Sequence, residues 1–447
     1  MPDDQLAART TSSVERSAIR RISFRLLPFL VVAYLIAYID RSNVGFAGLQ
    51  MNDDLGLSAS QFGLGASMFF LAYVLLEVPS NVALAKVGAR RWIGRIMITW
   101  GIVAVGMAFA VGPTSFTVLR FLLGAAEAGF FPGVILYLTF WFPPSYRARV
   151  IAWFSMAIPM ASVLGSPISG YLLGLEGFLG LSGWQWLFII EGSPAVLMGF
   201  LAFIVLPSRP GDAKWLPNDE RQWLESALRD QEKAVDDSHL PLRKLLLNKT
   251  ILLLALVYAS TAAISQGLSL WQPQMMKTFG LSNAQVGWLN AAPFAIAVLG
   301  MVLWGRFSDR RAERVRATAI PIGLSAIALA FVPFGSSPVI FLVIVSVVLV
   351  GTYAAKGPFW SLCTEWMSKR ESVAGVAMVN ALGSLAAFGG NWVIGEIKDA
   401  TGSFTWALAP LMVLGAVSVL ALLLAAHRAR RNGERSSRVA IADKTDL

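Results

Sequence analysis

Apolar residues dominate the chain in runs of about 20, the length an α-helix needs to cross the hydrocarbon core of a bilayer. Such runs fall at about 24–47, 60–83, 92–112, 114–142, 148–174 and 185–206, and after a polar stretch six more follow at about 250–276, 285–305, 316–335, 338–366, 372–395 and 404–427. The pattern predicts an all-α membrane protein of twelve transmembrane helices in two pseudo-symmetric six-helix bundles, residues 24–206 and 250–427. Tails at 1–23 and 428–447 and a linker at 207–249 complete the expected organisation. Between Lys214 and Lys233 the linker mixes charges of both signs with Trp223, Leu224 and Leu228 at helical spacing, which reads as a surface helix on a solvated connector.

Charge then orients the chain. Cytoplasmic loops hold the excess of Lys and Arg. Of the 37 basic residues, 32 lie in the termini and in the loops after even-numbered runs, only Lys277 and Lys398 lie on the opposite side, and Arg41, Arg120 and Lys356 fall inside runs. Both termini and the linker are therefore expected in the cytoplasm, in a multi-pass protein of the plasma membrane, the inner membrane in a bacterium. The formal charge of +10 would suggest nucleic acid in a soluble protein, but here it serves topology, and no nucleic-acid partner is expected. The first run follows Arg20 and Arg21 as a signal peptide would, yet it is long, contains Asp40 and Arg41, and is expected to stay attached.

Composition also excludes chemistry. The lone Cys363 excludes an internal disulfide, and His239 and His427, both outside the runs, exclude a His-based metal cluster. No phosphate-binding Gly-rich loop of the G-x-x-x-x-G-K-[ST] type occurs, so work must draw on a gradient. No nucleophile, base and orienting group come together, so neither an enzyme activity nor a cofactor is expected.

The two halves repeat. After the second run the chain reads Asn81-Val-Ala-Leu-Ala-Lys86-Val-Gly88-Ala-Arg90-Arg91, and after the eighth Gly305-Arg-Phe-Ser-Asp309-Arg310-Arg311-Ala312; Lys86 and Arg310 stand 224 residues apart. Both segments resemble the G-x-x-x-D-R-x-G-x-R-R loop of the major facilitator superfamily. Asn81 replaces the Gly and Ala85 the Asp in the first copy, which removes the acid of the usual charge–helix lock there, and Ala312 stands where the second copy would have its second Gly. The resemblance implies a role in gating for Lys86, Gly88, Arg90, Arg91, Gly305, Asp309 and Arg310.

Further segments are similar to the anion:cation symporter branch of that superfamily. They are Ile39-Asp40-Arg41-Ser42-Asn43, Glu77-Val-Pro79-Ser-Asn81, Arg120 through Glu127 to Gly133, Gly183-Trp184-Gln-Trp186 through Glu191-Gly192, Gly357-Pro358-Phe359-Trp360 and Lys398-Asp399-Ala-Thr401-Gly402. What this implies is proton-coupled uptake of a small organic anion, such as a hydroxy-, sugar- or aromatic carboxylate.

A charge inside the membrane costs at least about 2.5–3.5 kcal/mol on insertion scales, so each needs a partner, a wet cavity or a function. Arg120 and Glu127, seven residues apart, share a helix face about 10 Å apart along the axis, and Asp40 and Arg41 lie about 24 Å along the first helix from Phe24, so all four are expected to face one central cavity. Guanidinium binds carboxylate in a fork, which makes Arg41 and Arg120 the candidate anion ligands. Proton coupling needs a titrating group, and with no His in the runs Asp40 and Glu127 are the candidates, as the resemblance also implies. The competing reading is a permanent Asp40–Arg120 or Arg41–Glu127 ion pair that only joins helices.

Around this site Trp360, Ser361, Asn380 and Ser384 are expected to bind substrate, with Trp271 and Gln272 as weaker candidates. Lys356 either adds positive charge or pairs with Glu365. Glu77 and Glu191, near cytoplasmic helix ends, read as gate or interface residues or as acids paired with loop arginines. Pro159, Gly165, Pro167 and Gly170 let the fifth run bend, and Gly165-Ser-Pro-Ile-Ser-Gly170 partly resembles an element of proton-antiporting drug exporters. Export of drugs or metabolites is therefore the first rival to uptake, and a membrane sensor that binds the anion without moving it is the second. The partners expected are the anion, protons and the bilayer, with the chain acting as a monomer.

Overall fold

The computed structural model describes residues 2–232, 247–311, 313–367 and 369–445; Lys233, His239 and Ala312 lie outside them. Among the described residues the regular structure is helical, and eleven helical stretches are long and apolar enough to cross a membrane. In chain order the helices are α1 (Pro2–Asp54), α2 (Ala59–Val87), α3 (Ala89–Gly106), α4 (Pro113–Glu127), α5 (Phe130–Thr139), α6 (Pro144–Ser155), α7 (Ala157–Leu172) and α8 (Gly183–Val205). They continue as α9 (Asn218–Glu232), α10 (Lys249–Lys277), α11 (Asn283–Arg311), α12 (Arg314–Ala330), α13 (Pro338–Trp366), α14 (Lys369–Thr401), α15 (Phe404–Ala407) and α16 (Ala409–Thr445). The ninth expected run, 316–335, is α12, which stops at 17 residues where Pro333 and Gly335 follow and is prolonged by the short 3-10 turn Val332–Phe334. Large apolar residues such as Ile204, Leu299 and Val343 stay exposed along the helices, as side chains turned to lipid do.

Two compact units form: Met1–Ser238 with Gly280–Ala291, and His239–Phe279 with Ala292–Leu447. In the first, Tyr34 stacks on Phe154 with centroids 4.2 Å apart, inside a core that also holds Trp100, Phe130 and Trp141. In the second, Ile251, Phe359, Leu362, Val379 and Leu422 form the core, and Ser418 donates to Ser260 at 2.9 Å.

Several expected boundaries shift, each for a local reason. The run 114–142 is two helices, because Gly129 takes φ +84°, a left-handed conformation natural to glycine, between α4 and α5. The carbonyl left open at Ala128 accepts the Ser80 hydroxyl at 2.6 Å, and Ser80 in turn accepts the Trp92 indole N–H at 3.0 Å. A break inside a membrane-spanning stretch is tolerated because neighbouring side chains bond the exposed backbone. The run 148–174 likewise divides at Met156 into α6 and α7.

Helix α1 runs unbroken from Pro2 through the expected N-terminal tail, where Ala18 and Ile22 are buried. Within the expected linker, helix α9 buries Leu224 and Glu220, and the Glu220 carboxylate accepts the Ser17 hydroxyl at 2.7 Å and pairs with Arg21 at 3.1 Å. At the other end of the chain α16 continues past residue 427 to Thr445.

Candidate functional site

Asp40 and Arg41 are consecutive on α1, so the helical turn of about 100° per residue aims them at different neighbours. Asp40, 2% exposed, accepts the indole N–H of Trp100 on α3 at 2.6 Å. Its other oxygen has no hydrogen-bond partner among the described residues. Arg41 points to α4 instead, where its Nε donates to one oxygen of Glu127 at 2.8 Å and its Nη2 lies 2.5 Å from the same oxygen without hydrogen-bond geometry. Glu127 is fully buried, and its second oxygen is unpartnered.

Aromatic rings enclose the Arg41 guanidinium. Its central carbon lies 4.8 Å from the Tyr38 ring, one turn earlier on α1, and 5.1 Å from each of Phe69 and Tyr73, which are four residues apart on α2. Phe69 carries a second cation, because the Arg120 guanidinium lies 5.2 Å from the same ring. Faces of aromatic rings attract cations through their quadrupole, an interaction strengthened where water is excluded. Arg120 is 2% exposed and forms no ion pair among the described residues; Nη2 donates to the Ala66 carbonyl at 3.2 Å, while Nε and Nη1 have no partner.

The four intramembrane charges therefore gather in the first unit, with distinct situations. Arg41 and Glu127 are paired, the Asp40–Arg120 ion pair is not formed, and of the two guanidiniums Arg120 is the one without an acidic partner among the described residues. Glu191 departs from its expected place: it is 6% exposed on α8 and accepts the Ser169 hydroxyl of α7 at 2.7 Å rather than pairing with a loop arginine. In the repeated loops Arg90 donates to the Phe203 carbonyl, and Asp309 pairs with Arg314 at 2.9 Å. Gly88 ends α2, and Lys86 and Arg91 are exposed, as are Arg310 and Arg311 on the last turn of α11, with Gly305 half-buried earlier on that helix.

The second unit sets out the other expected residues. Trp360 packs against Tyr258 of α10 at 5.0 Å and Phe359 at 5.1 Å, and the Tyr258 hydroxyl donates to Asn380 of α14 at 3.4 Å. Ser361 and Ser384 spend their hydroxyls on their own helices, at the carbonyls of Gly357 and Asn380. Trp271 is buried against Phe404, and Gln272 is buried with both amide atoms unpartnered. Lys356 does not pair with Glu365: its ammonium lies over the Tyr353 ring at 4.1 Å, while Glu365 is 3.6 Å from Arg314.

Sequence reasoning missed Trp100, Tyr38, Phe69 and Tyr73. Only Tyr38 carried a usable signal, an aromatic one turn before an intramembrane arginine; the other three look like any ring in an apolar run.

Buried charges held among membrane-crossing helices define a polytopic membrane protein with a functional site inside the membrane. Residues 30–391 and 254–443 match the family described as Major Facilitator Superfamily, and the chain belongs to it. Over 422 residues it is 47% identical to a protein of Agrobacterium vitis named "Putative tartrate transporter", covering 94% of this chain and 98% of that one. It is 39% identical over 412 residues to the "Quinolone resistance transporter" of Acinetobacter baumannii, covering 92% of this chain and 94% of that one. Among solved structures, the inward open conformation of the xylose transporter XylE from E. coli matches with a TM-score of 0.72 at 14% identity, covering 90% of this chain and 95% of that one, a likeness of fold.

Proposed function

We propose that the protein takes up a small organic anion, of the hydroxy-, sugar- or aromatic carboxylate class, together with protons, by alternating access of its two bundles, 24–206 and 250–427. The observation that carries this reading is Arg120, a buried guanidinium with two nitrogens unpartnered beside an Arg41–Glu127 ion pair. A carboxylate supplies the acceptors that Arg120 lacks, and a fork-shaped donor suits that shape better than a point charge. Trp360, Ser361, Asn380 and Ser384 contribute contacts from the second unit. Asp40 and Glu127 carry protons: one has an indole donor and no cation bonded to it, and the other has an arginine that substrate can compete for. For a monoanion at least two protons must accompany it if uptake is to carry positive charge inward. The similarity to the Agrobacterium vitis protein supports an anion of the tartrate kind. The protein works as a monomer in the cell membrane with both termini in the cytoplasm, and the repeated loops at Lys86–Arg91 and Gly305–Arg310 gate it.

The similarity to the quinolone resistance protein favours a second reading, proton-driven export. Uptake of labelled carboxylates into proteoliposomes, with an inward proton gradient on or off, separates the two. Accumulation that requires the gradient and is lost in Asp40→Asn or Glu127→Gln, with exchange retained, supports uptake; flux against the proton gradient supports export.

A further inference from the structure

Beyond the Arg41–Glu127 pair, the first unit buries a third carboxyl that the proposed cycle leaves unused. Glu191 sits in the membrane-crossing stretch of α8 and is 6% exposed. Its described neighbours are neutral. Ser169 of α7 donates to one carboxyl oxygen at 2.7 Å, the Asn43 amide of α1 also hydrogen-bonds to the carboxyl, and the flanking Gly192 packs on Ala104 and Val105 of α3. No Lys or Arg pairs with it among the described residues, and Asp40, one turn before Asn43 on α1, is the titratable group that faces it. Arg120 and Glu127 are neighbours of Asp40 instead.

Hydrogen bonding points the same way. The second Glu191 oxygen and the side-chain oxygen of Asn43 are both buried, and neither has a donor. A buried acceptor without a donor is costly in a site closed to water, and a proton on the second Glu191 oxygen removes that unmet acceptor. A bare carboxylate without a cation is the expensive alternative inside a membrane.

We infer that Glu191 is a further proton-binding site of the transport cycle, holding its proton on the buried oxygen that Ser169 does not reach. The position of Asn43 on the same face of α1 as Asp40 puts this proton next to the coupling carboxyl. Glu191 is a proton carrier and touches no substrate. A metal ion is the less suitable occupant, since the described residues contain no group of three or more His, Cys, Asp or Glu that could hold one. The coupling part of this inference rests on the uptake reading above; the proton site itself does not.

The test uses the full chain in two measurements. Infrared spectra of the reconstituted protein near neutral pH are expected to contain the C=O stretch of a protonated carboxyl that disappears in Glu191→Gln and shifts in Asn43→Leu. In proteoliposomes, the potential at which net flux reverses is expected to show one proton fewer per anion for Glu191→Gln than for wild type, with gradient-driven uptake retained. If Glu191→Gln leaves the protonated-carboxyl band intact, the site is overturned whatever the fluxes do. A lost band with unchanged stoichiometry overturns the coupling role, as does a spectrum that responds to sodium rather than to pH. Failure of wild type to accumulate anions with the gradient would instead reject the uptake reading, and the band would still decide the site.

Discussion

Trp100 donates its indole N–H to Asp40 at 2.6 Å, and both residues are buried. The bond crosses from α3 to α1, and Trp100 also meets Phe130 edge-on at 5.3 Å, so its ring and its N–H have separable roles. Trp100→Phe keeps most of the ring and removes the donor. Leaving a buried acceptor unmet costs about 1–3 kcal/mol. The variant is therefore expected to melt earlier in detergent and to accumulate substrate more weakly. An unchanged melting midpoint would mean that another donor reaches Asp40.

The Arg41–Glu127 pair predicts strong non-additivity. Arg41→Gln strands a fully buried carboxylate and Glu127→Gln strands a guanidinium, each change costing about 3–5 kcal/mol when one partner of a buried pair is removed. The double variant, with two neutral amides, is expected to recover much of that stability without recovering gradient-driven uptake. A double-mutant cycle on thermal unfolding checks the first part. Additive losses would show that the two side chains act independently.

Helices and intramembrane charges were legible in the sequence because both are set by one-dimensional quantities, the length of an apolar run and the rarity of charge within it. Asp40, Arg41, Arg120 and Glu127 stand out on that ground alone. Their pairing did not: a helix face fixes Arg120 and Glu127 relative to each other, but which neighbour Arg41 meets depends on how α1 packs on α4. Trp100 and Phe69 were hidden for a different reason, since an aromatic that packs and one that serves a charge have the same place in an apolar run. Lys356 was open between two fates until Glu365 was seen beside Arg314. The segment Gly129-Phe130-Phe131-Pro132 carries family resemblance inside a continuous apolar run, so the break after α4 was missed.

The linker helix is anchored by one carboxylate. Glu220 holds Ser17 and Arg21 on the N-terminal extension of α1, with side-chain exposures of 5% for Glu220 and 48% for Arg21. Glu220→Ala is expected to speed limited proteolysis between α8 and α9 while changing global stability by no more than about 1 kcal/mol, because Arg21 is solvated. Cleavage at the wild-type rate would show that Leu224 and its apolar neighbours hold the helix unaided.

Close packing at Gly124 makes α4 intolerant of side chains. A Cβ there would meet the carbonyl oxygen of Phe69 on α2, which is backbone and cannot swing aside. Gly124→Ala must push the two helices apart, and overpacking of this kind costs typically about 1–3 kcal/mol. The larger consequence is functional, since Phe69 is the ring that both Arg41 and Arg120 face. Uptake is expected to fall more steeply than stability, as initial rates and melting midpoints measured on the same preparation would reveal; proportionate losses would mean that the ring's position is unimportant.

Arg120→Lys separates charge from shape. Lysine preserves one positive charge but offers a point donor in place of a planar fork, and its shorter reach weakens the contact with the Ala66 carbonyl. If Arg120 binds the substrate carboxylate in two-pronged fashion, the half-saturating anion concentration should rise at least about tenfold, the equivalent of ~1.4 kcal/mol, with a smaller change in maximal rate. Arg120→Gln should lose saturable uptake altogether while the protein still folds, because removing an unpaired buried charge relieves a desolvation cost. A lysine variant with wild-type affinity would show that only charge is needed at this position and would move the search for the second carboxylate contact to Lys356, whose ammonium lies over Tyr353 without an acidic partner among the described residues.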